Sequence, residues 1–437
     1  MTGGESEMLE KYVNEKIEFK TGLKAIEKNS IVLLANRDNG GALFISKECY
    51  EILLQAMEEK MTFGELINCI EQEASKKYMT DLLEQMAKNR FWKYDERDIK
   101  SADYEISIDI TNRCNLNCKH CCVMAGEFKE GKDLDEQALM NMIKKVVKLQ
   151  PASISISGGE PLMRNDFENI ILFIRDNFKG TLSLMTNATL IGEKKAEFIA
   201  KHFDSVDVSI DGSDEKSCKI LRGEGTFNKC IEGIKLLQEN GMERISASMV
   251  ITKDNQYAQD SFMKLCEKMH LYPMLRGLDP SGRAENSIEG PTEKYQKRSL
   301  EEIKEKFVAK KLWKKTPQIM ACQGAKIEFQ ISYVGDIYPC GALMDSEFFL
   351  GNVLNISDLK TYLEEGFYKK LDGYKNFESY MPSHIEKCKD CEFNLLCFSC
   401  VSDIRNKKKS GSLYKDCKEQ YFVNNLYWEN YECYESD

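Results

Sequence analysis

Cysteine is the residue with which this chain can do chemistry: 17 of its 437 residues are Cys, against four His (His120, His202, His270 and His384). The densest group is Cys114-Asn-Leu-Asn-Cys118-Lys-His-Cys121, three thiols within eight residues. A tetrahedral structural zinc site wants four ligands, and Cys122, directly beside Cys121, is poorly placed to converge on the same ion. Three thiolates can instead hold three irons of a 4Fe–4S cube and leave its fourth iron open. A second array occupies the tail: Cys322, Cys340, Cys388-x-x-Cys391, Cys397-x-x-Cys400 and Cys417. A zinc ribbon separates its two C-x-x-C pairs by about 15–20 residues, whereas five residues separate them here. Seven cysteines are also one short of two closed four-Cys sites.

The elements that must position the first group follow a rule. Strand patterns at 104–110, 153–157, 181–185, 206–210, 245–251 and 272–277 alternate with amphipathic helical runs at 135–149, 166–177, 193–202, 227–239 and 257–269. A βα unit repeated six times predicts a parallel sheet with helices outside it. Six units are too few for a closed eightfold barrel, so the expected class is α/β, a partial (β/α)6 TIM-like barrel. The three-cysteine group falls directly after the first strand, at the end where such folds carry their chemistry. A polar stretch from Asp279, a charged helix from Glu293 to Leu312 and an irregular, turn-rich tail complete the chain.

On these residues the sequence resembles the radical SAM superfamily, whose hallmark is C-x-x-x-C-x-x-C on that loop. Gly158-Gly159-Glu160-Pro161 after the second strand resembles the family's turn for the methionyl amine of S-adenosyl-L-methionine. Glycines permit close backbone approach and Glu160 offers a carboxylate for an ammonium. Ser209-Ile-Asp211-Gly212 and Leu221-Arg222-Gly223 resemble further family elements. The resemblance implies that Ser209 and Arg222 hold the methionyl carboxylate, and that Asn187 contacts the nucleoside. The implied chemistry is reductive cleavage of S-adenosyl-L-methionine and hydrogen-atom abstraction by a 5′-deoxyadenosyl radical. The tail resembles the SPASM domain, which holds two auxiliary 4Fe–4S clusters and makes three in all. By that resemblance Cys388, Cys391, Cys397 and Cys417 ligate one of them. Cys322, Cys340 and Cys400 hold the other, with an open iron. Two residues precede Cys400 where the family pattern has three, so its assignment departs from the pattern.

Upstream, two strand-like stretches (30–35 and 42–45) and three helical patterns (47–58, 62–73 and 78–88) outline a winged helix-turn-helix, with Gly40-Gly41 as the turn. Thr62 and Glu65 predict a capping box. Residues 1–95 carry 17 acidic and 13 basic side chains, against a phosphate-tracking face. The whole chain, with 61 Lys and Arg and 71 Asp and Glu, argues against nucleic acid as a partner. The segment from Asn39, with Thr62-Phe-Gly-Glu-Leu66, resembles the leader-recognition element of ribosomal-peptide maturases, the PqqD-like fold. That element grips a peptide by strand addition. The expected domains are thus 1–95 for leader recognition, 100–312 for the barrel and 313–437 for SPASM. No apolar run reaches the ~20 residues of a membrane span, and no signal peptide is legible, so a cytoplasmic setting is expected.

The resemblance implies a radical SAM maturase of a ribosomally made precursor peptide, served by a small electron donor such as flavodoxin or ferredoxin. A thioether from a substrate Cys is the first choice of product. A carbon–carbon crosslink, or maturation of a side chain in another enzyme, uses the same parts. A small-molecule radical SAM enzyme, or a DNA-binding iron–sulfur sensor, leaves the leader element or the Gly-Gly-Glu-Pro turn unexplained. No general base stands out among the linker's acids, and Arg283, in Pro-Ser-Gly-Arg-Ala, carries no assigned role.

Overall fold

In the computed structural model, the described residues are 11–36, 40–94, 101–127, 132–285, 287–290, 322–391, 394, 400–414 and 417. The helix expected over 293–312, along with Cys397 and Cys433, lies outside them. The chain divides into two compact units.

One unit comprises residues 1–98, 298–322 and 380–437. Strands β1 (Leu23–Lys28), β2 (Ile31–Asn36) and β3 (Gly41–Ser46) form an antiparallel sheet in the order β1-β2-β3. Helices α1 (Lys47–Glu58), α2 (Phe63–Asn68) and α3 (Glu73–Lys88) follow. Ser46 caps α1 by accepting the Cys49 N–H, and the Thr62–Glu65 capping box forms as the sequence predicts. All of β2 is buried: Val32 and Leu34 pack with Leu53, Phe63, Leu83 and Trp92, while Ile31, Leu33 and Ala35 face a second cluster with Ala42. Strand β1, Leu-Lys-Ala-Ile-Glu-Lys, went unread because an edge strand studded with charge has no apolar alternation.

The other unit comprises residues 99–297 and 323–379. Its eight-stranded sheet has the order β11-β10-β4-β5-β6-β7-β8-β9. The expected six parallel strands are β4 (Glu105–Asp109), β5 (Ser153–Ser157), β6 (Thr181–Thr186), β7 (Ser205–Ser209), β8 (Ile245–Ile251) and β9 (Tyr272–Gly277). Helices α4 (Glu136–Lys148), α5 (Phe167–Asn177), α6 (Glu193–His202), α7 (Glu215–Arg222), α8 (Thr226–Glu239) and α9 (Gln259–Lys268) run between them. Ile106, Ile108, Ile154, Ile156, Leu182, Leu184, Val206 and Val208 are shut away on one sheet face. The opposite face is polar and half-open, with Ser107, Ser155, Ser157, Ser183, Ser205, Asp207 and Ser209.

The tail read as irregular contributes two more strands. β10 (Glu328–Ile331) pairs in parallel with β4, and β11 (Ile337–Tyr338) pairs antiparallel to β10. Four and two residues are too short for periodicity to register. Residues 323–379 therefore share a compact unit with the barrel strands, a different division from 100–312 and 313–437. Lys145 of α4 secures this return by donating to the carbonyls of Val353 (2.8 Å), Leu354 (3.1 Å) and Ile356 (2.6 Å).

Candidate active site

The three-cysteine loop leaves β4 at Ile110 and is pinned along its length. Thr111 Oγ1 donates to Asp133, the Asn112 N–H reaches Asp133 Oδ1 at 2.8 Å, and Arg113 Nε reaches Oδ2 at 3.1 Å. Each sulfur receives one N–H donor: Leu116 N to Cys114 Sγ (3.4 Å), Ala125 N to Cys121 Sγ (3.3 Å) and Arg222 Nη1 to Cys118 Sγ (3.8 Å). Burial raises the Cys114 thiol and pushes the Cys118 thiol up to about 11, although Arg222 pulls the latter down. Thiols so buried ionise only beside compensating positive charge, which bound iron supplies. Among the described residues no three metal-ligating side chains close on a single-ion site. Three thiolates on one loop suit a cube, where each meets a different iron.

The turns predicted to hold S-adenosyl-L-methionine come together on this loop. Gly159 N donates to Thr111 O and Glu160 N to Arg113 O, both at 2.8 Å. A Cβ on Gly158 would lie 2.3 Å from Thr111 O, and one on Gly159 2.3 Å from Arg113 O. The two glycines thus let the turn lie directly against the cysteine loop. The Glu160 carboxylate is fully buried and engaged within the protein. It accepts from Thr186 Oγ1 (2.8 Å), Asn187 N (2.8 Å) and Leu162 N (3.1 Å). Burial raises its pKa, against the pull of those donors. Pro161 begins the short helical turn that Glu160 caps. Asn187 Nδ2 reaches Asn115 Oδ1 at 3.0 Å, tying the end of β6 to the loop.

Arg222, the last residue of α7, is held by Asp211. Asp211 is fully buried and left-handed (φ +61°). Its Oδ2 accepts Arg222 Nε at 2.6 Å and lies 3.0 Å from His120 Nε2. Val250 N reaches Asp211 Oδ1 at 2.6 Å. Burial alone would raise this carboxyl, but Arg222 and then His120 hold it well below the usual carboxylate range. Lys119 N donates to Leu221 O at 2.9 Å, so the loop and the Leu-Arg-Gly segment also share a backbone bond. Ser209 stays half-open beside Ser248 Oγ at 3.5 Å. The His120 Nδ1 atom is buried without a hydrogen-bond partner, the kind of group a bound small molecule satisfies. Loop, orphaned nitrogen, open serine and buried guanidinium all fit a cluster with S-adenosyl-L-methionine.

Asp109 and Asp207 are among the carboxylates on the polar side of the sheet. Asp109 ends β4; burial pushes it up to about 7, against hydrogen bonds from Ser157 and Gln330. Asp207 of β7 is likewise raised by burial and eased by Arg276 and Arg244. Strand parity could have placed both on this face, but no pattern could reveal their burial.

The second array is less completely described. Cys322, Cys340, Cys388 and Cys400 are half-buried, while Cys391 and Cys417 are exposed. Cys391 N donates to Cys388 O at 3.2 Å and Asn394 N to Cys391 O at 3.0 Å, forming a tight turn. Tyr414, raised first by burial, also feels Cys388 and Cys417.

Residues 108–266, which hold the three-cysteine loop and most of the parallel strands, match the family model described as the Radical SAM superfamily. The chain is 28% identical over 336 residues to an uncharacterized protein of Archaeoglobus fulgidus, covering 72% of this chain and 76% of that one. It is 25% identical over 263 residues to the mycofactocin maturase MftC of Mycolicibacterium smegmatis, covering 56% of this chain and 66% of that one. The crystal structure of Streptococcus suis SuiB bound to S-adenosylmethionine aligns with TM-score 0.54 at 17% identity, over 89% of this chain and 97% of that one. At that identity the likeness is one of fold. No described helix is long and apolar enough to cross a membrane.

Proposed function

We propose that this protein is a radical SAM/SPASM maturase that modifies a ribosomally made precursor peptide, most simply by closing a thioether from a substrate cysteine. The observation that carries the reading is the three-thiol loop, with one N–H on each sulfur and the Gly-Gly-Glu-Pro, Asn187 and Arg222 segments all bonded to it. Cys114, Cys118 and Cys121 would hold a 4Fe–4S cluster that, with S-adenosyl-L-methionine, supplies one-electron cleavage and hydrogen-atom abstraction from an unactivated carbon. Ser209 and Arg222 orient the methionyl carboxylate. The three N–H donors stabilise thiolate charge, and the polar sheet face receives the peptide side chain. Cys388, Cys391, Cys397 and Cys417 would hold one auxiliary cluster. Cys322, Cys340 and Cys400 would hold another with a coordination position left for substrate sulfur, which favours a thioether over the alternative carbon–carbon crosslink.

Peptide as the substrate class is supported by relatives: the mycofactocin maturase and the SuiB structure solved with its precursor peptide SuiA. Among the described residues, strands β1 and β3 are the edges of their sheet, the kind of position at which a leader strand adds. Replacing Cys114, Cys118 and Cys121 with Ala should reduce 5′-deoxyadenosine formation to the uncatalysed background; persistence of that product refutes the assignment. Deleting residues 1–95 should weaken turnover of the precursor far more than cleavage of S-adenosyl-L-methionine alone. Equal loss of both would count against leader recognition.

A further inference from the structure

The segment after β9 folds back onto the three-cysteine loop through Gly282 and Arg283. Arg283 N donates to Cys121 O at 3.0 Å. Its Nε donates to Cys118 O at 2.9 Å, and its Nη1 to Ala125 O at 3.0 Å and Glu127 Oε1 at 3.4 Å. The side chain is only 15% exposed. Gly282 stands at φ +61°, where a Cβ would meet the carbonyls of Cys121 and Cys122 at 2.4 Å, so only glycine admits this approach. Two arginines therefore bracket Cys118, with Arg222 on its sulfur and Arg283 on its carbonyl.

We infer that Arg283 is the positioning residue of the cluster loop, fixing where the three sulfurs stand and keeping the Ala125 N–H on Cys121 Sγ. The inference rests on reading that loop as a cluster site. A planar guanidinium suits the task because its donors diverge in fixed directions, so one side chain can hold carbonyls seven residues apart. Drawing Cys118 O and Ala125 O toward Arg283 steadies the stretch whose Ala125 N–H serves Cys121 Sγ. The contacts span the last barrel strand and the loop of the first, so the loop is complete only once the sheet has formed.

The test compares Arg283→Gln and Arg283→Lys in the full-length chain. In apo protein, amide hydrogen exchange over residues 119–126 should quicken at least tenfold in the Gln variant and less in the Lys variant, with β6 and β7 unchanged. No local change, or a uniform increase in the Lys variant, overturns the clamp; should the Gln variant fail to fold, the Lys variant decides alone. In anoxically reconstituted protein, the midpoint potential of the cluster that responds to S-adenosyl-L-methionine should fall in the Gln variant and hold in the Lys variant. Equal potentials in all three proteins overturn the positioning of that sulfur donor. A wild-type protein with no such cluster defeats the functional reading, while the exchange measurement still decides the clamp.

Discussion

The two cysteine regions, on the proposed reading, would meet one chemical demand in opposite ways. The first packs its three cysteines into eight residues, and a fold of strand ends then closes around them: the β5 turn, Asn187 after β6, Leu221 and Arg222 of α7, and Arg283 after β9. The second spreads its cysteines over 96 residues from Cys322 to Cys417, most of them in one compact unit and Cys340 in the other. A short ligand loop fixes sequence spacing and leaves orientation to distant segments. A dispersed array must have its ligands gathered by the fold itself. The first region should therefore govern cleavage of S-adenosyl-L-methionine, and the second the fate of the substrate.

Three outcomes would sharpen or break that division. The largest effect concerns iron. Reconstituted protein should approach about twelve atoms per chain, three cubes' worth. Replacing Cys388 and Cys391 with Ala should remove about four of them, abolish the crosslink and leave 5′-deoxyadenosine formation standing. Loss of both activities together would erase the distinction between the regions.

Next comes Asp211→Asn, which strands the buried guanidinium of Arg222. Removing one partner of a buried pair costs about 3–5 kcal/mol, readable as a lower urea midpoint of apo protein at neutral pH. The sign with pH follows from its depressed pKa. The pair's contribution is complete above the unfolded carboxyl pKa of ~3.9 and is lost as pH falls through the folded value. The wild type should thus lose more stability than the variant on acidification.

The smallest effect is Asp109→Asn, with the opposite sign. A carboxyl pushed up to about 7 by burial favours the protonated fold, so wild-type stability should decline as pH rises from ~4 toward that value. The Asn variant should show a flatter profile, with a difference of ~4 kcal/mol at most. Identical slopes would mean that Asp109 meets water or a cation.

Much of this was legible in the sequence because the barrel elements are long and strongly periodic. Strands 153–157, 245–251 and 272–277 and helix 193–202 fall where the pattern puts them. What escaped has physical causes. The segments β10 and β11 are too short to show alternation, and α7 has only Cys218 and Leu221 as buried apolar residues. Side-chain purpose was harder still. Glu160 reads as an open carboxylate, yet its oxygens are taken by Thr186, Asn187 and Leu162. Asp211 and Arg283 lie within recognisable motifs, but His120 and Val250 beside the first and Cys118 and Ala125 beside the second are far away in sequence. Spacing singles out the cysteines; only tertiary contacts show what steadies them.

The most direct measurement is electron paramagnetic resonance of the dithionite-reduced, anoxic protein, recorded before and after adding S-adenosyl-L-methionine. The account predicts a reduced 4Fe–4S signal whose g-values shift on addition and vanish from the Cys114, Cys118 and Cys121 triple-Ala protein. A spectrum indifferent to the sulfonium, or zinc in place of a reducible cube, would contradict it.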